Sequence, residues 1–142
     1  MVKYDIVIVS GGFDPVHKGH VRMFKESKLL GHKVICGANS DQWLCDKKGK
    51  NFMEFSERKE ILEAFEYVDE VLSFDDSDGS AIGLISKVFY LYPDTKIAFA
   101  NGGDRNSTNI PEKKFCDDNN IDMIWDIGGG KVQSSSDLLS KA

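Results

Sequence analysis

Two histidines, His17 and His20, stand three residues apart in the stretch GGFDPVHKGH, directly behind the apolar run DIVIVS. That pattern suits phosphate chemistry. Glycines at the end of a strand expose backbone N–H groups to anionic oxygens with no Cβ in the way. A helix that starts after the turn aims its free N–H groups and the positive end of its dipole at the same anion. Side chains three apart share a helix face, so both imidazoles can point there, and Gly19 keeps the backbone close. An isolated H-x-x-H is more often a surface or core-satisfied pair; its place behind a strand and a Gly-Gly turn makes this one specific. Zinc would need a third ligand, and neither the three cysteines nor His32 stands at a ligand spacing.

The elements that must position this pair follow from alternating patterns. Short β-rich runs at 5–10, 33–39, 68–74, 96–101 and 122–127 read as strands. Between them, helices are predicted over 20–31, stopped by Gly31, from an N-cap at Ser56, over 80–92 before Pro93, and over 111–120 opening on Pro111. A short helix closes the chain after QSSSDLL. This alternation predicts one α/β domain over residues 1–142, a Rossmann-like five-stranded parallel sheet with helices on both faces. Residues 40–55 read as a long charged loop, and the Gly-Gly-Asp turn at 102–104 as a second functional insert, since sites gather at the carboxyl ends of parallel strands. Within that loop, DKKGKN (46–51) has almost nothing apolar to bury, so it is expected to be mobile until an anion orders it.

Composition narrows the class. A net charge of −5 argues against a broad basic surface for nucleic acid, while a local cluster of cations can still oppose the global sign. Three cysteines without a C-x-x-C pair speak against a disulfide framework and for a reducing interior. No segment approaches the roughly 18 apolar residues of a membrane span, and the N-terminal run is too short for a signal peptide. A cytoplasmic protein with no membrane partner is expected.

GGFDPVHKGH resembles the signature of the cytidylyltransferase-like nucleotidyltransferases, whose H-x-G-H tetrad matches His17, Gly19 and His20. Glycerol-3-phosphate cytidylyltransferases and the adenylyltransferase domain of the ADP-heptose pathway belong to that group. The likeness continues through ANSD, KKG (Lys47, Lys48), ERKEILEAFEYVDEV with Arg58, NGGDR with Asp104, and QSSSDLL. It implies transfer of CMP or AMP from CTP or ATP to a phosphorylated sugar or polyol, heptose phosphate-like or glycerol phosphate-like, with release of pyrophosphate. No covalent enzyme intermediate is implied, so positioning and charge neutralisation carry the catalysis.

In that resemblance His17 and His20 donate hydrogen bonds to the transferring phosphoryl group, and Lys47 or Lys48 supplies point charge. Gly11, Gly12, Phe13 and Gly19 surround the nucleotide, Arg58 lies near its phosphates, and Gly102, Gly103 and Asp104 meet the base or ribose. Ser134, Ser135 and Ser136 hold the β- and γ-phosphates at a second helix start, and Mg²⁺ bridges the phosphates without a protein metal site. A homodimer is implied as well. The chain departs from the pattern at GGGK (128–131), where the cytidylyltransferases carry R-T-E-G; Lys131 is then the nearby cation, and the base stays open between cytosine and adenine. Trp43 and Phe52 flank the lysines, either as acceptor-pocket walls or as anchors. The competing reading is a nucleotide-binding regulatory domain without turnover, against which the intact histidines, lysines and serines argue. A flavodoxin-like domain fails because the first strand lacks an acidic cluster.

Overall fold

The computed structural model describes residues 2–102 and 111–127. Their elements run β1 (Tyr4–Gly11), α1 (Lys18–Leu30), β2 (Gly31–Ala38), α2 (Asp41–Lys48), α3 (Phe55–Glu63), β3 (Glu70–Leu72), α4 (Ile82–Leu91), β4 (Ile97–Gly102), α5 (Glu112–Asp118) and β5 (Asp122–Ile127). The strands form one parallel sheet in the order β3-β2-β1-β4-β5. The chain winds outward from β1 in one direction, then returns to its other side. That reversal between β1 and β4 is the crevice where such sheets hold ligands.

Both faces of the sheet are covered, and β1 shows why it reads as an unbroken apolar run. Val7 and Val9 face α1 and α3, packing with Phe24, Val34, Cys36 and Leu62. Ile6 and Ile8 face α4 and α5, packing with Ile35, Leu84, Val88, Phe99 and Cys116. Successive strand residues point to opposite faces, so two separate cores form from one strand.

The sheet and the helix on each side of it match the sequence reading; the differences lie in boundaries and in one helix. Residues 40–55 are not a loop throughout. Ser40 Oγ accepts the Trp43 N–H (3.1 Å) and starts α2, and Gly49, at φ 87°, ends it. Leu44 is the one buried residue of α2, so no apolar period announced the helix. Helix α3 starts at Phe55 and not after a Ser56 cap, because the Glu54 carbonyl accepts the Glu57 and Arg58 N–H groups while Phe55 packs on the core. Helix α1 starts at Lys18, with His17 itself as the cap. Strand β3 is shorter than 68–74; among the described residues it is an edge strand paired only with β2. Gly103, Asp104, Lys131, Ser134, Ser135, Ser136 and the last helix lie outside the described residues.

Gly37 gives a test of the packing. A Cβ there would overlap the δ-carbons of Leu84, which is itself fully buried and has nowhere to move. Gly37→Ala should therefore cost about 1–3 kcal/mol by overpacking, read as a lowered urea midpoint at unchanged slope.

Candidate active site

The histidine turn is built by close approaches. Phe13 adopts φ 52°, an uncommon conformation for a side chain of its size, and is almost fully buried. Its ring lies over Gly11, where a Cβ would come within 3.2 Å of it, and edge-on to His20 at 4.7 Å. At Gly12 a Cβ would meet Leu44 at 2.9 Å, so this glycine admits α2 to the turn. At Gly19 it would come within 3.0–3.1 Å of the His17 ring. The three glycines thus each make room for a neighbouring side chain.

The two imidazoles cap α1 reciprocally. The Gly19 N–H donates to His17 Nδ1 (3.2 Å), and the His17 N–H donates to His20 Nδ1 (3.2 Å). The rings stack at 3.8 Å with 24° between their planes. A nitrogen that accepts an N–H cannot carry a proton, so each neutral imidazole holds its hydrogen on Nε2. Both side chains therefore offer an Nε2–H donor from one helix start. Burial first, then the electrostatic influence of the neighbouring His17 ring and of the Lys48 ammonium, push the His20 pKa down to about 3.

The lysines sit at the end of α2 and diverge. Lys48 Nζ donates to the Asp14 carbonyl (3.1 Å), beside the histidine turn. Lys47 lies over the Trp43 ring, 4.7 Å from its centre, on a cleft of about 560 Å³. That cleft opens between α2 and the β3–α4 connection, walled by Trp43, Phe74 and Ser77. Asp76 joins its two sides, its carboxylate accepting from Asn39 Nδ2 (3.0 Å), the Ser40 N–H (2.8 Å) and the Ser40 hydroxyl (2.7 Å).

Arg58, expected beside the phosphates, is fully buried. Its donors reach Gly12 O (2.8 Å), Asn39 O (2.8 Å), Met53 O (3.1 Å) and Asp41 Oδ1 (2.8 Å). It braces the site from beneath. Gly102 ends β4 opposite Ile127 of β5. Phe52 is largely exposed, with its N–H bonded to Asp14. The structure thus brings together Gly11, Gly12, Phe13, His17, Gly19, His20 and Lys48, and turns Lys47 to the cleft. Asp14, Asp41 and Asp76 were missed, although Asp14 stands within GGFDPVHKGH and Asp41 within ANSD.

A parallel sheet reversing its order beside a capped histidine turn defines the class as Rossmann-like α/β, with an anion-directed helix start at the reversal. The chain belongs to the cytidylyltransferase-like family, which it matches over residues 8–134. It is 36% identical over 109 residues to the bifunctional protein HldE of Blochmanniella floridana, covering 74% of this chain and 21% of that protein. It is also 36% identical over 66 residues to the glycerol-3-phosphate cytidylyltransferase of Bacillus subtilis, covering 46% of this chain and 51% of that one. The chain thus matches about a fifth of the first relative's length and about half of the second's. Among solved structures, the bifunctional NMN adenylyltransferase/ADP ribose pyrophosphatase of Francisella tularensis shares the fold, with TM-score 0.70 at 17% identity over 97% of this chain and 42% of that one.

The depressed His20 pKa has a stability consequence. Between about 3 and the ordinary 6.5, the unfolded chain binds a proton at this residue that the folded chain does not. Stability is therefore full above the ordinary value and falls as pH drops, with a slope of up to about 1.4 kcal/mol per pH unit. Denaturant midpoints measured from pH 7 to pH 4 should fall less steeply in His20→Gln than in the natural chain. Parallel curves would contradict the neutral, buried imidazole.

Proposed function

We propose that this chain transfers a nucleoside monophosphate from CTP or ATP to a phosphorylated sugar or polyol, releasing pyrophosphate. The observation that carries the reading is the pair of stacked imidazoles, each accepting a backbone N–H on Nδ1, at the helix start that follows β1. An acceptor phosphate oxygen forms a bond to the α-phosphorus, and the α–β bridging bond breaks, so pyrophosphate leaves with the electron pair. Charge grows on the equatorial and leaving oxygens, where two preorganised donors act more strongly than in the ground state. The glycerol-3-phosphate and ethanolamine-phosphate cytidylyltransferases among the relatives support a small phosphorylated acceptor.

Among the described residues no group of three or more His, Cys, Asp or Glu is placed to hold a metal. Mg²⁺, which prefers oxygen ligands and keeps several waters, would rest mainly on the phosphates and shield their charge.

Screening CTP and ATP against sugar and polyol phosphates for pyrophosphate release tests the proposal. His17→Ala and His20→Ala should each lower kcat about 10²–10³-fold, with smaller effects on nucleotide KM. Chelator should stop turnover and leave the melting temperature unchanged. No pyrophosphate release with any pair would favour the regulatory-domain reading.

The lysines should separate kinetically. Lys48 lies with the histidines and Lys47 at the cleft, so Lys48→Ala should lower kcat and Lys47→Ala should raise the acceptor KM. A hydrogen bond to a charged group contributes about 1.5–3 kcal/mol, which corresponds to roughly 10–100-fold in each parameter. The same kinetic signature in both variants would rule out this division.

A further inference from the structure

Asp14 is completely buried, three residues before His17, and the phosphoryl-transfer scheme leaves it without a task. Its two carboxylate oxygens accept from separate backbone groups, the Phe52 N–H at 2.6 Å and the Met53 N–H at 2.7 Å. Its own carbonyl accepts from Lys48 Nζ. One residue of the histidine turn thus holds both the last lysine of α2 and the segment that follows it.

Besides Asp14, that segment is held by polar bonds, Arg58 Nε to the Met53 carbonyl (3.1 Å) and Asn51 Nδ2 to Asp41 Oδ1 (3.2 Å) among them. Gly49 is exposed in a left-handed conformation with open space around it, Lys50 is exposed, and Phe52 is 62% exposed. Apolar burial between α2 and α3 is therefore slight, and polar bonds must set the path. Met53 shows this most plainly, with its N–H given to Asp14 and its carbonyl accepting from Arg58 Nε and Asn51 Nδ2. A carboxylate suits the place because both oxygens face N–H donors. An amide would offer one acceptor and press its NH₂ against the other N–H.

We infer that Asp14 is a positioning residue: its carboxylate fastens the segment after the lysine helix to the histidine turn, and so sets the spacing of Lys48 from His17 and His20. The kinetic consequence rests on the transferase reading; the fastening itself does not. A displacement of about 1 Å between reacting groups can cost 10²-fold in rate, so spacing is a quantity worth holding.

Amide hydrogen exchange on the full chain, resolved by residue, reads the fastening directly. In the natural chain the Phe52 and Met53 amides should exchange at least about tenfold more slowly than those of Lys50 and Asn51 beside them. In Asp14→Asn these two amides should lose that protection while the amides of β1 and β2 keep theirs. At saturating substrates kcat should fall about tenfold or more, with nucleotide binding changed less than about threefold. Unprotected Phe52 and Met53 amides in the natural chain would overturn the inference without any variant, should Asp14→Asn fail to fold. So would retained protection in Asp14→Asn, or lost protection at unchanged kcat. If the natural chain turns over no substrate pair, the transferase reading fails, and the exchange comparison still decides the fastening.

Discussion

A guanidinium removed from water must have its donors matched, and Arg58 reaches four acceptors in three separate pieces of chain. They are the carbonyl of Gly12 behind β1, that of Asn39 behind β2, the carboxylate of Asp41 at the start of α2, and the carbonyl of Met53. Removing one partner of such a buried charge typically costs several kcal/mol, because the other is left uncompensated. The histidine turn, the β2–α2 junction and the segment before α3 are therefore constrained as one unit. None of them can shift alone without stranding a buried charge.

This constraint also sets the electrostatics of the crevice. The carboxyl ends of parallel strands present carbonyl oxygens, which repel anions. Arg58 occupies those of Gly12 and Asn39, and Lys48 occupies that of Asp14. With these acceptors engaged, the start of α1 and its two capping imidazoles follow β1 at the reversal between β1 and β4. A chain with net charge −5 can thus present a donor-rich surface locally. The sign of the whole molecule says little about this one place.

How much of this was legible before the structure depends on the range of the interaction. The sheet, its parallel sense and its two-sided cover follow from local apolar runs, and β1 announces itself because both its faces are buried. The histidine pair was legible for the same reason, since a turn and a helix start are local. Helix α2 was not, because it buries only Leu44 and is defined by a serine cap and a glycine stop. The roles of Asp14 and Arg58 were hidden more deeply. Their partners lie 38 and 46 residues away in sequence, and nothing in the pattern of either residue tells a buried brace from an exposed contact.

The division between neutral and charged donors follows from the stacking. Two rings 3.8 Å apart could not both carry a proton on each nitrogen without strong mutual repulsion, and each already spends one nitrogen as an acceptor. Holding them neutral costs no charge burial and fixes the direction of each remaining N–H. A positive charge stands outside the stack at Lys48, whose ammonium bonds to the Asp14 carbonyl. Geometry and charge are thus assigned to different residues. The imidazole tautomers are set by backbone N–H groups and the lysine by a backbone carbonyl, so each is held by the main chain of the histidine turn.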